Sequence, residues 1–200
     1  MSFDIAVEKR RGDVQVSCRI EGGAGITVLF GPSGVGKTSV LDMVAGLLRP
    51  DAGHVRVGGE LLFDAAGVNV QPERRRAGYV FQDARLFPHL DVRTNLLYGA
   101  GADPSGLDDL AARFGIAQLL DRWPRSLSGG EARRVAIGRA LLAKPRFLLL
   151  DEPLSSLARA RREEIMLVIE QLRDESGLPI LMVTHDQAEA ERLGNRIVEL

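Results

Sequence analysis

Apolar and polar positions along the chain change period repeatedly, and the changes predict short strands alternating with helices. Residues 3–9 and 14–20 alternate with period two and read as two strands around a turn at Gly12-Asp13. Val14, Val16, Cys18 and Ile20 fall on one side of the second strand, its buried face. Ile26-Thr27-Val28-Leu29-Phe30 is a short apolar, β-rich run, as expected of a buried strand. Residues 39–45 follow as a helix, with Gly46 as its stop. Pro50-Asp51-Ala52-Gly53 is turn chemistry, and residues 54–57 and 60–63 read as strands around Gly58-Gly59. Residues 64–76 are polar and carry Gly67, Asn69 and Pro72, so a loop is expected there, leading into a strand at 77–81.

From Asp83 to about Pro124 the pattern is helical but loosely periodic, broken by Pro88, Gly99, Gly101, Pro104 and Gly106. It reads as a helical insertion. Residues 130–143 form a clear helix that Pro145 ends, and Phe147-Leu148-Leu149-Leu150 is a continuous apolar run of the kind found in parallel strands covered on both faces. A charged amphipathic helix at 159–175 comes next, then a buried strand at 180–183, a helix at 186–193 stopped by Gly194, and a strand from Ile197. Strands alternating with helices imply an α/β fold around a largely parallel sheet. Ligands of such sheets bind at the carboxyl ends of the strands. Lys37, Gln82, Asp151, Glu152 and His185 all follow strand-like runs, so one sheet edge is expected to gather all five.

Residues 31–38, Gly-Pro-Ser-Gly-Val-Gly-Lys-Thr, lie between the buried strand and its helix and match the phosphate-loop pattern G-x-x-x-x-G-K-[ST]. Gly31, Gly34 and Gly36 let the backbone turn its N–H groups toward a phosphate, and the helix N-terminus adds a partial positive charge. Pro32, Ser33, Val35 and Ser39 complete the cradle. Lys37 can reach the β- and γ-phosphates, and the Thr38 hydroxyl can ligate magnesium. Asp151 can hold the same metal directly or through water, and Glu152 can accept a proton from an attacking water or position it. Gln82 can ligate magnesium or orient the water, and His185 can contact the γ-phosphate.

Composition narrows the setting. Two hundred residues suffice for one domain with a substantial core, or a domain and a small lobe, and 45% hydrophobic with 26% charged residues is ordinary for a soluble protein. A formal net charge of −1 gives no support for a general nucleic-acid binder, so no nucleic-acid partner is expected. The basic runs Lys9-Arg10-Arg11 and Arg74-Arg75-Arg76 read as solvated surface charge. The lone Cys18 cannot make an internal disulfide, which fits a reducing compartment. There is no apolar run of about eighteen residues and no signal-peptide pattern. A cytoplasmic chain follows, with any membrane association made through a partner.

Leu127-Ser128-Gly129-Gly130-Glu131 brings a family into view: it resembles the signature of ATP-binding-cassette (ABC) ATPases. Phosphate loop, Gln82, signature, Leu148-Leu149-Leu150-Asp151-Glu152 and His185 come in that family's order across almost the whole chain. Read from the residues alone, Ser128 is a helix N-cap, and the backbone of Gly129 and Gly130 offers phosphate donors at a helix start. The resemblance implies that this segment contacts ATP held by a second copy, so that two cassettes close head to tail over two nucleotides. It also implies an ABC-type P-loop NTPase fold, with an antiparallel β subdomain at the N-terminus and the helical insertion at about 83–143. ATP and magnesium are the implied cofactors. One domain over 1–200 is expected.

A narrower resemblance runs from Arg74 through Gly78-Tyr79-Val80-Phe81-Gln82-Asp83-Ala84-Arg85-Leu86-Phe87-Pro88-His89-Leu90 to Gly99. It is similar to the ATPase subunits of bacterial molybdate importers. In importers this region borders the groove that receives a cytoplasmic helix of the membrane subunit, although core packing would equally account for Phe87 and Leu90. The chain departs from the pattern in three places. No aromatic stands in Arg10-Arg11-Gly12-Asp13 to stack on adenine, where an arginine plane can substitute. The loop after Glu152 reads Ser155-Ser156-Leu157-Ala158 where the family has Ser-x-Leu-Asp. The C-terminal regulatory domain common in molybdate-importer ATPases is not in this sequence.

The resemblance thus implies the ATP-hydrolysing subunit of an importer, for molybdate or for another anion or small solute such as sulfate or ferric iron. Its partners would be a second cassette, two membrane permease subunits and, indirectly, a substrate-binding protein, with the chain peripheral on the inner face of the cell membrane. A soluble ABC protein of DNA repair or translation, and a nucleotide-binding module without efficient turnover, are the other classes in view.

Overall fold

The structure, a computed structural model, describes residues 2–12, 14–100 and 104–200; Asp13 of the expected first turn and the breaker Gly101 lie outside the described residues. The chain begins with β1 (Phe3–Arg11), β2 (Val14–Gly22) and β3 (Ile26–Phe30), then α1 (Lys37–Ala45), β4 (Ala52–Val57), β5 (Glu60–Asp64), α2 (Pro72–Arg75) and β6 (Ala77–Val80). It continues through α3 (Val92–Leu97), α4 (Leu107–Arg113), single 3-10 turns at Ala117–Leu119 and Pro124–Ser126, and α5 (Gly129–Leu142). Last come β7 (Phe147–Asp151), α6 (Arg159–Glu175), β8 (Ile180–Thr184), α7 (Gln187–Leu193) and β9 (Arg196–Glu199). An antiparallel sheet has the order β2-β1-β4-β5, and a second sheet, parallel throughout, has the order β6-β7-β8-β3-β9.

Neighbouring residues of a strand point to opposite faces, and the parallel strands are apolar on both. Leu29, Leu149, Leu181 and Val183 pack with Val40, Leu41 and Met43 of α1 and with Phe3, Ile5 and Ile20 of the antiparallel sheet. Val28, Leu148, Leu150 and Met182 pack the other way, against Val135 and Ile137 of α5 and Ile165 and Ile169 of α6. Each fully buried side chain of this kind contributes about 1.5–3 kcal/mol. The parallel sheet is thereby clamped, and its carboxyl edge becomes a fixed platform.

Several elements differ from the expectation. The first two strands run to Arg11 and Gly22, since ladder pairing extends past the alternating core. Val14 therefore lies at the hairpin end and is exposed rather than on the buried face. Helix α1 starts at Lys37, directly out of the phosphate loop, and not at Ser39. The loop at 64–76 contains α2, whose first residue, Pro72, supplies the preset φ of a helix start.

The second basic run is not all solvated. Arg74 and Arg76 are exposed, but Arg75 is only 1% exposed. Its guanidinium donates to the Met43 and Val44 carbonyls at the end of α1, both at 2.9 Å, to Val70 O at 2.8 Å and to Asn69 Oδ1 at 3.2 Å. The last carbonyls of a helix have no partner within it and carry its negative dipole end, so a buried cation there is stabilised.

Candidate functional site

The phosphate loop leaves β3 at Phe30 and enters α1 at Lys37. Gly34 and Gly36 have φ of 85° and 110°, in the left-handed region that side chains avoid. At Gly36 a Cβ would also stand 2.6 Å from Val16 Cγ2, so β2 presses directly on the loop. Lys37 is buried and donates to the carbonyls of Gly31 at 2.7 Å and Pro32 at 2.8 Å. Burial lowers its pKa, while the nearby carboxylates of Glu152 and Asp151 oppose that shift.

Asp151 ends β7 and is buried. Burial raises its carboxyl pKa, and a hydrogen bond from Thr38 Oγ1 at 3.1 Å works against that. Glu152 has φ of 42°, a left-handed conformation that costs a non-glycine residue of order 1–3 kcal/mol. The sheet over-determines it: Glu152 N donates to Val183 O at 3.0 Å, and Ser155 Oγ donates to Glu152 O at 2.9 Å. The turn aims the carboxylate between two partners. Gln82 Nε2 donates to Oε2 at 3.4 Å, and His185 Nδ1 lies 3.1 Å from Oε1.

Ser33, Gly34, Gly36, Lys37, Thr38, Ser39, Gln82 and Glu152 line one cavity of about 350 Å³. A second, of about 360 Å³, shares Ser33, Gln82 and Glu152 and reaches Ser155, Arg162 and His185. Gly31, Pro32 and Val35 belong to the same loop without lining the first cavity. The expected gathering of Lys37, Gln82, Asp151, Glu152 and His185 at one sheet edge is thus what the fold produces. Ser128, Gly129 and Gly130 stand elsewhere, at the start of α5 and outside both linings. There Ser128 N donates to Glu131 Oε2 at 2.7 Å and Glu131 N to Ser128 Oγ at 3.4 Å, a reciprocal capping box.

Residues that were not singled out as site residues hold the site. Arg133 of α5 is buried and donates to Phe81 O at 2.6 Å and to Gln82 O, fixing the backbone that carries Gln82. Arg139 donates to the carbonyls of Ala84 and Arg85. Tyr79 O–H donates to Asp42 Oδ1 at 3.0 Å, and burial raises the phenol's pKa. Arg133 and Arg139 share α5 with the charged Glu131 and Arg134, and no sequence pattern sets them apart from these. Arg85 lies 3.9 Å over the Phe81 ring, and Phe87 meets Tyr98 with ring centroids 4.2 Å apart. Tyr98 is exposed and Phe87 partly buried, so Phe87 is neither core nor free surface. Arg11 Nη1 lies 3.3 Å from Ser39 Oγ, placing an arginine beside the loop where no aromatic stands.

Against known families, residues 15–155 match the ABC transporter family. The chain belongs to that family. Among curated proteins this ABC chain is 52% identical over 201 residues to the molybdenum import ATP-binding protein ModC of Brucella abortus (strain 2308), an alignment covering 98% of the chain and 56% of that protein. It is 51% identical to the protein of that name from Rhodospirillum rubrum, over 98% of the chain and 55% of the relative. It is 50% identical to the one from Mesorhizobium japonicum, over 100% and 56%. The chain therefore spans about half the length of the curated relatives it matches. Among solved structures, cbiO1 from Clostridium perfringens, described as part of the ABC transporter complex cbiONQ, superposes with a TM-score of 0.83 at 26% identity, covering 100% of this chain and 85% of that one. Among the described residues no helix is long and apolar enough to cross a membrane.

Proposed function

We propose that this ABC chain is the ATP-hydrolysing subunit of an importer, and that the importer carries molybdate. The observation that carries the ATPase reading is the placement of Glu152 between Gln82 and His185 at the mouth of the phosphate-loop cavity. The loop N–H groups and Lys37 hold the β- and γ-phosphates. Glu152 takes the proton of the attacking water, which Gln82 orients, and His185 contacts the γ-phosphate from the opposite side. Lys37 leaves the Gly31 and Pro32 carbonyls to meet the phosphates, so the loop offers no second cation to replace it.

The donor set suits magnesium. Thr38 and Asp151 are already hydrogen-bonded to each other, and the buried Asp151 carboxylate is a hard oxygen donor that a cation would relieve of its desolvation. Thr38, Asp151 and Gln82 would hold it. When bound, magnesium neutralises charge on the transferring phosphoryl group.

Ser128, Gly129 and Gly130, outside the cavity of their own chain, serve the nucleotide of a second cassette, so that ATP binding closes a pair and hydrolysis reopens it. The surface around Arg85, Phe87 and Tyr98 receives a cytoplasmic helix of a permease subunit, so that a pair of cassettes sits beneath two permeases, which place the chain on the inner face of the membrane and link it to a substrate-binding protein. Molybdate as cargo is supported by the names of the relatives at 50–52% identity.

Phosphate release by the purified chain with ATP and magnesium tests the enzyme. Glu152→Gln should cut turnover about a hundredfold or more and, in gel filtration with ATP, accumulate as a dimer. Normal turnover in Glu152→Gln would overturn the assignment. Reconstitution with a molybdate permease, followed by uptake of molybdate against sulfate, tests the cargo.

A further inference from the structure

We infer that Arg162 is a positioning residue for His185, acting through Glu189, Asp186 and Thr184 from the segment that touches the Ser128–Gly130 turn. The inference rests on the proposed contact of His185 with the γ-phosphate.

His185 is held weakly by its own ring. Its side chain is 50% exposed, and its Nδ1 lies 3.1 Å from Glu152 Oε1. Its position is set instead by the residues on either side. The Thr184 hydroxyl donates to Glu189 Oε2 at 2.6 Å. A hydroxyl has one proton, so with that proton committed its oxygen is left to accept, and it accepts from Asp186 N at 3.1 Å. Asp186 Oδ1 in turn accepts from Ala188 N and Glu189 N at the start of α7. Thr184 and Asp186 thus bracket His185 in a closed set of hydrogen bonds whose buried members are Thr184 and the carboxylate-bearing Glu189.

A buried carboxylate needs a charged partner. Arg162 supplies it from another element: Nη1 lies 3.6 Å from Glu189 Oε1 and 3.2 Å from Asp186 Oδ2. Arg162 sits in the first turn of α6, where its backbone N–H donates to Ala158 O at 2.9 Å. A shift in the loop at 155–158 therefore moves the guanidinium. The same segment abuts the start of α5: a Cβ at Gly129 would stand 3.4 Å from Leu157, and one at Gly130 would stand 3.4 Å from Arg161. Residues 157–162 lie between the Ser128–Gly130 turn and the bracket around His185. Displacement of that turn by a second cassette is passed by contact to Arg162, and by charge to His185.

The test uses the purified chain and its Arg162→Ala, Arg162→Lys and Glu189→Gln variants. Three readouts are compared: the His185 ring resonances by NMR without nucleotide, the ATP dissociation constant, and the turnover number with magnesium. The expected result for Arg162→Ala is a moved His185 resonance, turnover lower by about 10- to 100-fold as for a small misplacement of a reacting group, and an ATP dissociation constant within about twofold. Arg162→Lys keeps the charge and should recover part of both effects. Glu189→Gln keeps an acceptor for Thr184 without the ion pair and should fall between. An unmoved His185 resonance in folded Arg162→Ala overturns the inference, and so does a loss of ATP affinity equal to the loss of turnover. If Arg162→Ala does not fold, the same readouts on Arg162→Lys and Glu189→Gln decide. A His185→Ala variant that hydrolyses ATP as well as the wild-type chain removes the underlying role of His185 instead, and that outcome is separate from the resonance test.

Discussion

Thr38 Oγ1 donates to Asp151 Oδ1 at 3.1 Å, joining the start of α1 to the end of β7 across 113 residues of sequence. The bond holds two oxygen donors side by side at the carboxyl edge of the sheet. Asp151→Asn keeps the shape and removes the charge. Magnesium-dependent ATP hydrolysis should fall about a hundredfold or more, because stabilising charge on the phosphoryl group is worth several kcal/mol. Folding stability should not fall, since the desolvation of a buried charge, which outweighs the Thr38 hydrogen bond in raising the Asp151 pKa, is removed. Phosphate release and urea unfolding check the two halves.

Lys37→Ala should weaken ATP binding at least about tenfold, or about 1.4 kcal/mol, because it removes the cation that the Gly31 and Pro32 carbonyls hold at the phosphate loop. Isothermal titration with ATP measures it, and circular dichroism should show the fold intact.

Arg75→Met should destabilise the chain by about 3 kcal/mol. It removes the guanidinium donor from the buried ends of α1 and the α2 loop, at the Met43, Val44 and Val70 carbonyls, with Met43 O keeping a 3.3 Å bond from Gly46 N. A lysine there has no planar fork to reach three carbonyls at once, so Arg75→Lys should recover only part. Urea midpoints of the three proteins give the order.

The Ser128–Glu131 box makes stability depend on acid. A backbone hydrogen bond from Ser128 lowers the Glu131 pKa, with the Ser128 side chain adding to it. A carboxyl held lower in the folded than in the unfolded chain contributes stability above its unfolded pKa and loses it as pH falls through the folded one. Glu131→Ala should therefore cost about 1 kcal/mol at neutral pH. The difference from wild type should shrink as pH drops below the ordinary glutamate range. Unfolding of both proteins from neutral pH down to pH about 3 shows whether the curves converge.

Ala158 is the N-cap of α6, with extended φ and ψ and no side-chain hydrogen bond to the helix. Aspartate there would cap the free N–H groups, so Ala158→Asp should raise stability by about 1 kcal/mol. In the proposed closed pair it would also add an acceptor at the interface and increase ATP-dependent dimerisation. Thermal melting tests the cap, and dimer population in ATP tests the interface.

Much of this was legible in the chain itself. The phosphate loop, the apolar runs ending in Gln82, Asp151-Glu152 and His185, and the parallel sheet follow from local spacing and the period of burial. Those signals are short-range: a glycine needing positive φ, a strand buried on both faces, a cap three residues from its partner. The sequence by itself also determined the family, because its motifs stand in one order. The tertiary structure alone decided what the charged residues between the motifs do. Arg75 looks like its exposed neighbours, yet it is buried against the end of α1, 32 residues away. Arg133 reaches back 52 residues to the Phe81 carbonyl, and Arg162 reaches forward to Asp186 and Glu189. A guanidinium is an ordinary surface group until the fold brings unpaired carbonyls or a buried carboxylate within about 3 Å. That closeness depends on which faces of which elements meet, and no period or spacing along the chain encodes it.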